Sequence, residues 1–125
     1  MPHPSRGPVF RAYFDDLAWS IDRAAGSTAA RRAGDAWRQG VETHGLPAAQ
    51  LLATQAGHAS RTDLPGCAKT RIPWPSGPWG AVFVLTHDSI GIRLSFLAFG
   101  GRHPELSSSS PSVYQRAHRR LHASD

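Results

Sequence analysis

The chain has 125 residues, enough for a single domain over 1–125 and too few for a second of ordinary size. Its 40% hydrophobic content argues against a disordered chain, and no apolar run approaches the ~20 residues that a membrane-spanning helix needs. Fourteen Lys and Arg against nine acids give a net charge of +5, and all but one of these cations (Lys69) is arginine. Arginine forks grip phosphate bidentately and stack on bases, so the bias suits a nucleic-acid partner; it suits a GC-rich coding bias equally well. The sole cysteine, Cys67, excludes an internal disulfide, and "MPHPSRGPVF" lacks the long apolar core of a signal peptide. A soluble protein of the reducing cytoplasm, without membrane contact, is the expectation.

In chain order, "PVFRAYF" (Pro8 to Phe14) is rich in aromatic and β-branched residues and predicts a first strand. "DDLAWSIDRAAG" follows with Phe14, Leu17, Ile21 and Ala24 at helical spacing, acids in the first turn and Gly26 as a stop. Ser27 caps a second helix in which Ala29, Ala33, Trp37 and Val41 recur every four residues, until Gly45 breaks the pattern. "LPAAQLLATQ" predicts a short helix or an extension of the second, and Gly57 to Pro65 a loop. The period then changes. "CAKTRI" predicts a strand with Cys67, Lys69 and Arg71 on one face and Ala68, Thr70 and Ile72 on the other. "PWPSGPWG" is a connection, since its prolines remove ladder donors. "AVFVLT" is a central strand, "HDSIG" a turn and "IRLSFLAFG" the next strand. The serine tract ends before Pro111, which predicts an N-cap at Ser110, proline at the first helical position and a last helix from about Pro111 to His122. Short links make the last three strands an antiparallel meander, with the helical pair on one face and the last helix at an edge. The fold class is therefore α+β: a twisted antiparallel sheet packed by an N-terminal helical hairpin, with a C-terminal helix.

Lys69 and Arg71 project from the same face of one strand. Two adjacent cations repel, and an anion between them relieves this; a solvated face is the plain alternative. Arg102 and His103 follow two glycines at a strand end, where backbone bends sharply or approaches a ligand closely. On the last helix Tyr114, His118 and His122 form one stripe, while Val113, Ala117 and Leu121 form the neighbouring stripe that should be buried. A tyrosine is a poor base at neutral pH unless neighbouring cations lower its pKa. His118 and His122 have metal-ligand spacing, but the chain has no HExxH, no CxxC and no carboxylate pair beside them, so no metal site and no cofactor is expected. Asp15 and Asp16 are helix N-terminal charges.

From Gly66 to His122 the chain resembles the RelE branch of the RelE/ParE toxin superfamily. "GCAKTRI" is similar to that family's basic second strand, "SGPWGAVFVLTHD" to its central strand, "IRLSFLAFGGR" to the strand ending in Gly-x-Arg, and "SVYQRAHRRL" to the C-terminal helix with its tyrosine. The resemblance covers somewhat under half of the chain; the N-terminal half fits only as a strand followed by a helical hairpin. It implies a single small α+β toxin domain that enters the ribosomal A site and cleaves mRNA there, partnered by a cognate antitoxin. It also implies metal-independent chemistry, in which a ribose 2′-OH attacks the adjacent phosphate and leaves a 2′,3′-cyclic phosphate. Carried over by position, Lys69 and Arg71 match the basic strand pair, Arg102 the strand-end arginine and Tyr114 the helix tyrosine; these are the expected catalytic set. Arg93, His103, His118 and Arg119 are the expected RNA-binding residues.

The chain departs from the family in two places. The central strand of the family opens with a Tyr-Arg pair, where this chain has Trp79-Gly80, and the serine tract inserts several residues between Arg102 and Tyr114. Arg93 or His103 substitutes for the missing arginine, or catalysis is weakened, or the scaffold binds without cutting, as a nucleic-acid binder or a topoisomerase inhibitor.

Overall fold

The computed structural model describes residues 7–53, 64–72, 79–101 and 112–123. They form an α+β arrangement of helices packed on a mixed sheet, and no helix among them is long and apolar enough to cross a membrane. The segment expected as one strand divides at Arg11. β1 (Val9–Phe10) pairs antiparallel with β3 (Leu46–Pro47), whereas β2 (Ala12–Tyr13) joins the main sheet.

The helical hairpin forms where the spacing predicts it. Asp15 caps α1 (Asp16–Ala24), its carboxylate accepting from the backbone N–H of Leu17 at 3.0 Å and Ala18 at 3.1 Å. Ser27 caps α2 (Thr28–His44) by accepting from Ala30 N–H at 3.2 Å. Gly45 ends α2 at φ +78°, ψ 179°, a region essentially restricted to glycine, and its N–H bonds Val41 O at 2.7 Å.

"LPAAQLLATQ" is not a helix. It forms β3, a single 3-10 turn at Ala48–Gln50 and β4 (Leu52–Ala53). Pro47 has no N–H to donate, and Leu46 and Leu51 gain more from the aromatic core than a helix would give them. The expectation of a loop over Gly57 to Pro65 falls mostly outside the described residues.

The main sheet runs in the order β2-β7-β6-β5-β4, with β5 at Cys67–Arg71, β6 at Trp79–His87 and β7 at Ile92–Gly101. β5, β6 and β7 make the expected antiparallel meander. The sheet as a whole is not antiparallel, because β2 lies parallel to β7, Ala12 opposite Leu94 and Tyr13 opposite Ser95. β2 fills the open edge of β7, and its direction is set by the hairpin that must return across the sheet.

Strand alternation gives the sheet two apolar faces. One carries Ala81, Phe83, Leu94, Phe96 and Phe99 against Trp19 of α1 and Val41 of α2. Phe14 and Trp37 complete this aromatic cluster; Trp19 sits 4.7 Å from Phe99 and 5.5 Å from Phe96 between ring centroids. The other face carries Cys67, Val82 and Ala98 and is covered by α3 (Val113–His122) through Val113 and Ala117. The last helix is thus not at an edge: it seals the face opposite the hairpin, because that face is also apolar. Nor does it begin at Pro111. Ser112 is the N-cap, in a reciprocal capping box with Gln115: Gln115 N–H donates to Ser112 Oγ at 3.2 Å, and Ser112 N–H to Gln115 Oε1 at 2.9 Å.

A buried ionic clasp joins the two layers at the edge of β7. Asp22 of α1 is 2% exposed. Its carboxylate accepts the backbone N–H of Phe99 at 2.8 Å, Arg116 at 3.1 Å and both terminal nitrogens of Arg120 at 2.6 and 2.7 Å. Arg120 also donates to Leu97 O at 2.9 Å. α3 is therefore fixed to the sheet by apolar burial along one stripe and by charge along the next.

Candidate functional site

β5 displays Cys67, Lys69 and Arg71 on the face that α3 covers, and the helix leaves them progressively more open. Cys67 is buried, Lys69 half-buried and Arg71 exposed. Burial pushes the Cys67 thiol up from its ordinary range, which makes it a poor nucleophile at neutral pH. α3 brings Tyr114 over the row, with the Lys69 ammonium 5.3 Å from the Tyr114 ring centroid. Lys69 and Tyr114 are 45 residues apart in the sequence, and the docking of Val113 and Ala117 is what brings them into contact.

The end of the sheet beside Arg71 is narrow in cross-section. Arg71 pairs with Gly80, and Gly80 with Gly100, so two adjacent positions lack side chains. The first turn of α3 sits directly on this notch: a Cβ at Gly100 would lie 3.8 Å from Val113 Cα and 3.7 Å from Arg116 Nε. Gly80 is buried. The positive end of the α3 dipole is carried to the end of β7, two strands from Arg71 across the paired glycines. Arg102 and His103 follow Gly101 and lie outside the described residues.

Arg93 is elsewhere. It faces Thr86 near the β6–β7 turn, four residues along β6 from the Lys69 partner Val82, or roughly 13 Å at the rise of a strand. There it pairs with Asp88 at 3.7 Å and lies 5.6 Å from the Tyr13 ring centroid. The Asp88 carboxyl is held below its usual range, mainly by the backbone N–H groups of Ile90 and Gly91, with Arg93 a minor contributor. Arg93 is therefore not gathered with Lys69, Arg71 and Tyr114. On α3, His118 is half-buried with its ring centroid 4.5 Å from that of His122, and Arg119 is exposed. Among the described residues no group of three or more His, Cys, Asp or Glu is placed to hold a metal ion.

Arg116 and Arg120 read as part of a basic helix surface but turn inward to Asp22. Nothing in their local sequence separates them from Arg119. The capping box carries a local signal, Ser112-x-x-Gln115, that the assignment of Ser110 as N-cap missed. Asp22, one helical position beyond the exposed Ile21, gives no local sign of its burial. No protein-family model, curated protein or solved structure matches the chain significantly.

Proposed function

We propose that the chain is a RelE-like toxin of a type II toxin–antitoxin system: a metal-independent endoribonuclease that cuts mRNA in the ribosomal A site and is held inactive by a cognate antitoxin. The observation that carries the reading is the convergence of Lys69, Arg71 and Tyr114 on one face, two cations from a rigid strand and a phenol from the docked helix. A solvated basic face needs no such aromatic, and the resemblance that names these residues rests on their sequence alone.

In the reaction the ribose O2′ attacks phosphorus, the P–O5′ bond breaks, and the products are a 2′,3′-cyclic phosphate and a 5′-hydroxyl. Negative charge spreads over the phosphate oxygens in the transition state. Cations fixed on a strand stabilise it without reorganising, which is worth on the order of 10²–10³ in rate per group. Lys69 and Arg71 take this role, and Arg102 joins them by the match of its sequence position to the family's strand-end arginine. The Tyr114 hydroxyl handles a proton, taken from O2′ or given to O5′. Work on ribosome-bound mRNA places the protein in the cytoplasm.

A second reading is favoured by Gly80. Where the RelE family that the sequence resembles presents an arginine, this chain presents a buried glycine, which fits a module that binds RNA without cutting it. Induced expression followed by mapping of mRNA ends on translating ribosomes decides between them. The toxin reading expects growth arrest, cuts at codon positions and a drop of about 10²-fold or more in cleavage for Tyr114→Phe. RNA binding with intact mRNA would overturn it in favour of the binding module.

A further inference from the structure

β4 accompanies β5 for only two residue pairs, Leu52 with Lys69 and Ala53 with Ala68. Before Leu52 the chain leaves the sheet into the 3-10 turn, while β5 continues to Arg71. Between the parting backbones lies a pocket of about 480 Å³, lined by Ala49, Gln50, Leu52, Thr70 and Arg71. Thr70 is 3% exposed, and among the described residues its Oγ1 has no hydrogen-bond partner. A hydroxyl buried this way destabilises the fold, and valine would fill the same space without that cost. Folding therefore gives no reason for threonine here, and a ligand does. Thr70 lines this pocket, and its hydroxyl is a buried donor there that no described group satisfies.

The chemistry of the wall narrows the ligand. The volume suits one base with its ribose. Ala49 and Leu52 offer apolar carbon to a flat ring, and the Gln50 amide can both donate and accept at its edge. None of the five lining residues is a carboxylate, and Arg71 belongs at once to this wall and to the cationic row. We infer that the pocket is a base-recognition subsite, holding the nucleobase of a nucleotide whose phosphate lies on Arg71, with Thr70 and Gln50 reading its edge. The inference rests on the RNA-cleavage reading and adds to it the element that selects sequence.

The test titrates the full-length protein with the four ribonucleoside 3′-monophosphates and with ribose 5-phosphate, which lacks a base. Affinity is read by calorimetry and the Thr70 methyl is followed by NMR. At least one nucleotide should bind tenfold or more tightly than ribose 5-phosphate and shift the Thr70 methyl. Thr70→Val should remove that preference, leave ribose 5-phosphate binding unchanged and keep or raise the melting temperature, and Thr70→Ser should retain the preference. Equal affinity for nucleotide and ribose 5-phosphate, or a wild-type base preference in Thr70→Val, overturns the subsite. Base-selective binding that depends on Thr70, in a protein that leaves mRNA intact, supports the subsite while defeating the nuclease reading. Cleavage whose sequence choice is untouched by Thr70→Val does the reverse.

Discussion

The Asp22 clasp offers a sharp test of what holds α3 to the sheet. Asp22→Ala deletes a carboxylate whose side chain is 0% exposed and takes the counter-charge from two guanidinium groups that are only 15% and 26% exposed. It also orphans the Phe99 N–H, whose donor distance to Asp22 is 2.8 Å. Breaking a buried pair from one side costs about 3–5 kcal/mol, because the remaining charge stays desolvated. The exposures lie below a third, so solvent screening removes little of this; the Arg120 bond to Leu97 O offsets a part. About 3 kcal/mol is the expected loss. That is a large share of the ~5–15 kcal/mol that stabilises a domain, and it lowers the melting point by roughly 10–15 °C at this chain length. Urea unfolding followed by circular dichroism measures it. The triple variant Asp22→Ala/Arg116→Met/Arg120→Met should recover most of the loss, since the buried charges go together. A loss under about 1 kcal/mol for Asp22→Ala, or no recovery in the triple variant, refutes the argument that the lost counter-charge is the source.

Three further outcomes are expected. Gly45→Ala should cost about 2–4 kcal/mol, because the new Cβ would sit 2.5 Å from Val9 Cγ1 at a backbone conformation reserved for glycine; chemical denaturation reads it. Stability should fall on acidification below the ordinary aspartate range, near ~4, in part through Asp35. The Arg23 hydrogen bond and charge hold the Asp35 pKa down, so its contribution is present above the unfolded value and is lost as pH falls through the folded one. The pair is nearly half exposed and screened by solvent, so Asp35→Asn should flatten the acid limb of the stability curve only slightly. On the proposed nuclease reading, Arg102→Ala should lower mRNA cleavage by about 10²–10³ with an unchanged melting curve; full activity in that variant removes Arg102 from the proposed set.

Local signals were legible at several points where one residue's chemistry decides the backbone, though not at α3, whose cap is Ser112 and not Ser110. Asp15, Ser27 and Gly45 start and stop the hairpin helices at the expected positions, and period-two alternation placed Lys69 and Arg71 on a shared face. The meander followed from short links, since neighbouring strands joined by few residues have little choice but to run antiparallel. The tertiary structure alone decided what depends on partners far along the chain. "LPAAQLLATQ" carries apolar residues that suit a helix, yet the aromatic core claims Leu46 and Leu51 and β5 claims Leu52 as a strand partner. The direction of β2 was hidden because its neighbour β7 lies some 80 residues on. α3 was placed at an edge because a stripe of Val113, Ala117 and Leu121 says that a helix is buried, not against what. The division of its arginines between solvent and Asp22, and the meeting of Tyr114 with Lys69, follow from that docking. A side chain's spacing fixes the direction in which it leaves its own helix or strand, but burial and pairing energies depend on what the folded chain brings opposite it.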